Sequence, residues 1–169
     1  AIPILQRREI ASLADTLKNA SQLSYLRAWE NLDLCEQVLR VAPTPFNLLL
    51  QGETGTGKSY LAGVIHSLSP RRDKPFVSIQ LAALPEQLAE SELFGHLKGA
   101  FTGAAFSRPG LVETAQGGTL LLDDIDACPA SIQSKLLRFV EEKRFTPLGG
   151  KIEKTSDVRI ISATNRRLI

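Results

Sequence analysis

The chain contains no methionine in 169 residues, so Ala1 is not a translation start and the sequence is expected to be a processed or excised piece. It has only two cysteines, Cys35 and Cys128. They lie far apart without CxxC spacing, and are expected to be reduced, buried small hydrophobes of a cytosolic protein. His66 and His96 have no second ligand at a metal spacing and are read as packing or surface residues. No apolar stretch approaches the roughly 20 residues that span a bilayer, and the N-terminus has no signal-peptide core. A soluble, cytoplasmic protein is therefore expected, with no membrane partner. The net charge is +2, and basic residues occur as scattered pairs (Arg7 and Arg8, Arg71 and Arg72, Arg166 and Arg167), so no basic run marks a nucleic-acid footprint.

What is present fits a globular domain: 43% hydrophobic and 22% charged residues, at a length that buries about 68–70% of the surface of the unfolded chain. The first 40 residues read as helices, with Ile10, Leu13 and Leu17 at helical spacing and Leu34, Val38 and Val41 repeating it before Pro43 and Pro45. After the prolines the pattern changes to short apolar runs at 46–51, 76–80, 119–123 and 158–163, too short for helices and without polar alternation, as expected of buried parallel strands. Helical segments start near Lys58, Glu86 and Ser131, the last with Ile132, Leu136, Phe139 and Val140 on one face. Strand alternating with helix predicts an α/β sheet covered on both sides.

The run GETGTGKS at 52–59 follows the first strand and opens the first helix of this alternation, matching G-x-x-x-x-G-K-[ST] in the required context. Gly52, Glu53, Thr54, Gly55, Thr56 and Gly57 are expected to turn their backbone N–H groups into a concavity facing a triphosphate, at the positive end of the helix that follows. Lys58 would neutralise the β/γ oxygens, Ser59 would ligate Mg²⁺ beside it, and Tyr60 would close the nucleotide-binding segment. In GGTLLLDDID the strand delivers Asp123 and Asp124 at its C-terminal end, where open α/β sheets bind ligands. Asp123 is expected on the metal, Asp124 on the attacking water. Taken singly, Asp124 or Asp126 could instead cap the next helix. The last strand ends in Thr164 and Asn165, a polar pair placed to sense a γ-phosphate.

These motifs, with SELFGHLKGAFTGA, RPGLVETAQGGTLLLDDI, SKLLRFVEEKRFTPLGG and DVRIISATNRRL, resemble in order and spacing the AAA+ ATPase domain of bacterial sigma-54-dependent transcription activators. The resemblance runs from Phe46 to Leu168; residues 1–40 match no family by motif. It implies a P-loop NTPase three-layer sandwich with a mostly parallel sheet, truncated before the fifth strand and helical lid, as a partial core over 43–169 behind a helical segment over 1–42. ATP and Mg²⁺ are the implied cofactors. The implied partner is the sigma-54 factor of RNA polymerase, gripped by the loop Gly99, Ala100, Phe101, Thr102, Gly103 and Ala104. Its glycines permit two loop states at little steric cost, Phe101 supplies an apolar anchor and Thr102 a hydroxyl. Residues 145–154 resemble a second insertion that moves with this loop. The intact protein is implied to form a homo-oligomeric ring, a hexamer, and to meet DNA only through a domain absent here.

The sequence also departs from the family pattern. Relatives carry Asp-Glu where this chain has Asp123 and Asp124, and an Asn where it has Gln80; that Asn holds the catalytic Glu aside until partner binding. A shorter acid facing a longer amide predicts a complementary pair, with Gln80 still bonded to Asp124. Many relatives have Glu at the position of Ser59, so the hydroxyl here strengthens the metal assignment. Arg166 and Arg167 fall too early for arginine fingers and are read as solvated; without fingers, these residues alone are expected to bind nucleotide but turn over poorly. Two other readings stand beside the motor: a nucleotide-dependent binding module with impaired hydrolysis, and an AAA+ remodeller of another protein.

Overall fold

The structure, a computed structural model, describes residues 32–166; the expected helix around Ile10, Leu13 and Leu17, and Arg167, lie outside the described residues. The chain divides into two compact units, Ala1–Thr44 and Pro45–Ile169. In the first, helix α1 (Leu32–Val41) carries Leu34, Val38 and Val41 at helical spacing, with Val38 buried. It stops where the Thr44 hydroxyl takes the Val41 carbonyl at 2.8 Å, between two prolines that cannot continue a helix. Cys35 on this helix is half-buried rather than buried, whereas Cys128 is buried; both are free thiols.

The second unit is built on four parallel strands, β1 (Leu48–Gln51), β2 (Phe76–Gln80), β5 (Thr119–Asp123) and β8 (Arg159–Thr164), in the order β1-β8-β5-β2. Two antiparallel pairs of two residues each interrupt them: β3 (Gly95–His96) with β4 (Arg108–Pro109), and β6 (Arg144–Phe145) with β7 (Lys154–Thr155). Helix α2 (Lys58–Ser67) joins β1 to β2 and packs on β1, β5 and β8. On the other face lie α3 (Glu86–Phe94), the short α4 (Leu111–Thr114) and α5 (Ala130–Glu142), which bury Leu93, Phe94, Val112, Ile132, Leu136 and Phe139 against Leu120, Leu122 and Ile160. Leu121 and Ile161 point the opposite way and are equally buried, as strands sandwiched by crossover helices require.

Three strand ends differ from the sequence reading: the start of β1 and both ends of β8, which begins at Arg159. β1 starts at Leu48 because Phe46 is 70% exposed and its carbonyl accepts from Arg159 Nε at 3.0 Å, while the Asn47 side chain takes the Ile160 N–H. These contacts replace two rungs of ladder. β8 runs on to Thr164, which pairs in register with Gln51.

Candidate nucleotide site and partner loop

Every parallel strand ends on a polar residue, Gln51, Gln80, Asp123 or Thr164, so one rim of the sheet collects them. The loop from β1 to α2 crosses this rim. Gly55 and Gly57 hold φ of 84° and 86°, left-handed values that only glycine adopts freely, and Gly57 is the N-cap of α2. The loop is closed by Thr56, whose N–H and hydroxyl both donate to the Glu53 carbonyl, and anchored by the Gly52 N–H to the Thr164 carbonyl at 3.2 Å. Lys58 Nζ folds back on this loop, donating to the Gly52 and Glu53 carbonyls at 2.8 and 2.9 Å. Thr54 and Tyr60 are at the surface.

Ser59 Oγ donates to Asp123 Oδ2 at 2.6 Å, and the other carboxylate oxygen of Asp123 accepts the Asp124 N–H at 3.0 Å. Asp124 itself stands in the left-handed region, φ 53° and ψ 51°, and opens a 3₁₀ turn (Ile125–Ala127) without a side-chain capping bond. Its carboxylate is turned instead to Gln80, whose Nε2 donates to Asp124 Oδ2 at 3.0 Å. In-register pairing of Gln80 with Asp123 sets this diagonal contact. On the far side, Asn165 Nδ2 donates to Thr54 Oγ1 at 3.3 Å. The structure thus gathers Lys58, Ser59, Gln80, Asp123, Asp124 and Asn165, drawn from residues over a hundred positions apart, on one rim.

Asp126, read from sequence only as a possible cap, caps nothing. Its Oδ1 accepts from Thr164 Oγ1 at 2.7 Å and its Oδ2 pairs with Arg166 Nε at 3.0 Å. The Thr164 hydroxyl holds its carboxyl below the usual carboxylate range; burial opposes this, and the charges of Arg166 and Lys58 assist it. Arg166, expected to be merely solvated, is ion-paired although 72% of its side chain is exposed. A third acid three residues beyond Asp123 was the sequence signal for this contact, but its partner lies 38 residues away and carries no charge.

The GAFTGA segment forms a tight loop between β3 and β4. Gly99 and Gly103 have φ of 81° and 97°, and the Gly99 N–H reaches the Ala104 carbonyl at 2.9 Å. Thr102 is exposed and Ala104 buried. Phe101 is 38% exposed and leans edge-on against His96, ring centroids 5.0 Å apart, so its ring is partly sheltered. His96 Nδ1 is in turn hydrogen-bonded to Ser91 Oγ at 2.7 Å. The second insertion supports the first: the Leu97 N–H donates to the Leu148 carbonyl and the Leu148 N–H to the Gly95 carbonyl, while Gly149 packs on Ala100.

A parallel sheet in this order, with a glycine loop leading from β1 into α2 and an acid at the end of β5, separated from β1 by β8, defines a P-loop nucleoside triphosphatase of the AAA+ kind. Comparison with known proteins narrows the class. The chain belongs to the sigma-54 interaction domain family, which matches residues 27–169, reaching into the N-terminal segment that motif reading left unassigned. It is 51% identical over 136 residues to the transcriptional regulator VasH of Vibrio cholerae, covering 80% of this chain and 26% of that protein. To the transcriptional regulatory protein GlrR of Escherichia coli it is 53% identical over 137 residues, 81% of this chain and 31% of GlrR. The crystal structure of NtrX from Brucella abortus superimposes with a TM-score of 0.75 at 32% identity, over 98% of this chain and 39% of that one; another crystal structure of NtrX is a complex with ATP. The chain therefore spans about a third or less of the length of these two curated relatives.

Proposed function

We propose that this chain is the ATP-binding and ATP-hydrolysing domain of a sigma-54-dependent transcription activator, working in the cytoplasm within a homo-oligomeric ring. The observation that carries the nucleotide reading is the 2.6 Å contact of Ser59 with Asp123. It brings a hydroxyl and a carboxylate, the hard oxygen donors that suit Mg²⁺, to the foot of a glycine loop whose lysine satisfies itself on backbone carbonyls. Bound Mg·ATP would supply the transferable phosphoryl group and the metal charge. The chain's own part is positional. Loop N–H groups and the α2 N-terminus favour anions, and Lys58 exchanges carbonyl partners for phosphate oxygens. Ser59 and Asp123 hold the metal, Asp124 orients water, Gln80 restrains Asp124, and Asn165 reports on the phosphate. The GAFTGA loop then engages sigma-54 through Phe101 and Thr102, with DNA contacted by a domain outside this chain.

A second reading, a nucleotide-dependent binding module with impaired hydrolysis, is favoured by Asp124. Its side chain is one methylene shorter than the family's glutamate and is engaged by Gln80. Two measurements separate these readings. Titration of the protein with Mg·ATP and Mg·ADP should show saturable binding that Lys58→Ala abolishes; equal binding by both proteins would end the nucleotide reading. Phosphate release by the assembled full-length protein then decides between motor and binding module. Loss of sigma-54 capture by Thr102→Ala supports the assigned partner, and undiminished capture contradicts it.

A further inference from the structure

Asn165 is expected to meet the nucleotide, yet its own side chain has one weak tether, the 3.3 Å bond to Thr54. The residues on either side of it are fixed far more firmly, and by the same group. Asp126 accepts the Thr164 hydroxyl at 2.7 Å on one oxygen and pairs with Arg166 Nε at 3.0 Å on the other. The Arg166 N–H also returns to Thr164 Oγ1 at 3.1 Å. Gln51 Nε2 closes the ring of contacts from β1, donating to the Arg166 carbonyl at 2.8 Å. Residues 164 and 166 are thus held at both ends of a three-residue arch, with Asn165 at its crown facing the phosphate loop.

We propose that Asp126 is a positioning residue that clamps Thr164 and Arg166 and thereby sets where Asn165 stands against the phosphate loop, giving the site its discrimination between nucleoside triphosphate and diphosphate. This rests on the nucleotide-site reading above. A carboxylate suits the task because both oxygens accept, whereas Asn in its place would present one acceptor and no charge to Arg166. The clamp acts only through the arch. Its loss should therefore spare contacts to the α- and β-phosphates, which belong to the glycine loop and Lys58, and weaken only what Asn165 adds at the third phosphate.

The test uses full-length protein and equilibrium titration with Mg·ADP and with a non-hydrolysable Mg·ATP analogue. Asp126→Ala should lower the affinity ratio of analogue to ADP by about fivefold or more, the worth of one good hydrogen bond, while ADP affinity changes by less than about twofold. Arg166→Ala should lower the same ratio by a smaller factor; this exposed residue keeps the test open if the Asp126 variant folds poorly. Asn165→Ala should lower the ratio at least as much as Asp126→Ala, and combining the two should add nothing further. Equal weakening of both ligands by Asp126→Ala or Arg166→Ala, or additivity with Asn165→Ala, overturns the proposal. Failure of the unaltered protein to bind either nucleotide overturns instead the site reading on which it stands.

Discussion

The pairing of Gln80 with Asp124 makes a quantitative prediction. The amide donates to the carboxylate at 3.0 Å at an exposed position, which puts its strength near the lower end of hydrogen bonds to charged groups, about 1.5 kcal/mol. Asp124→Glu advances the carboxylate by one methylene, about 1.5 Å, and drives it past the amide; Gln80→Asn withdraws the amide by the same length and leaves the native acid unmet. Each single change removes the contact, and the double change restores it with the partners exchanged in length. In steady-state phosphate release by the assembled full-length protein at saturating Mg·ATP, the two single effects should therefore fail to sum to the double by about 1 kcal/mol or more, at least fivefold in rate. A restored pair with glutamate should also place the water-orienting oxygen about 1 Å nearer the γ-phosphate, a displacement able to change rate on the order of 100-fold. Additive single effects, or no effect of either, would refute the idea that acid and amide are matched.

Further predictions concern the partner loop, the core and the pH response. Gly149 holds φ +75° and a Cβ there would lie 2.8 Å from the Ala100 side chain, so Gly149→Ala should displace the second insertion and weaken sigma-54 capture while leaving ADP affinity unchanged; pull-down beside nucleotide titration checks this, and unaltered capture contradicts it. Phe139 is fully buried against the rings of Phe94 and Phe145, and Phe139→Ala should lower unfolding free energy by about 3–5 kcal/mol in urea denaturation. His66 is buried between Phe76 and Thr119, and burial, aided by the Arg159 charge and opposed by backbone hydrogen bonds, lowers its pKa below the ordinary 6.5. The unfolded chain then binds the proton more readily, so stability is full above pH 6.5 and falls on acidification towards the folded pKa. His66→Gln should flatten that part of the melting temperature profile; an unchanged slope would show that other groups dominate.

How legible all this was in the sequence depended on how local each cause is. Residues 76–80 and 119–123 read as strands to the residue because each is an apolar run bounded by a proline or glycine pair before it and a polar end after it. The helices read from Lys58, Glu86 and Ser131 begin at Lys58, Glu86 and Ala130. The glycine loop from β1 to α2 was legible because its sequence is contiguous, with glycine placed where φ is positive. The pairing of Gln80 with Asp124 was legible through the resemblance to a family with a different pair of residues there. The contacts of Asp126 were not. Nothing local distinguishes a capping aspartate from one that reaches a threonine 38 residues further along the chain, since only the register of β5 with β8 brings them together. The shelter that His96 gives Phe101 was equally hidden, because it depends on a turn folding back over the strand that starts it.

The polar residue closing each parallel strand has a consequence for how the molecule can fail. Gln80 lies beside Asp123 and Gln51 beside Thr164 only while the backbone ladders keep their present alignment. Sliding one strand by a single position would turn its side chains over and carry its terminal group away from its neighbour. Assembly errors anywhere in the sheet therefore converge on one outcome, loss of the gathered rim on which the proposed nucleotide binding depends. Ligand-induced thermal stabilisation, small in cost and applicable to crude preparations, would thus grade folding fidelity and chemical competence in the same reading.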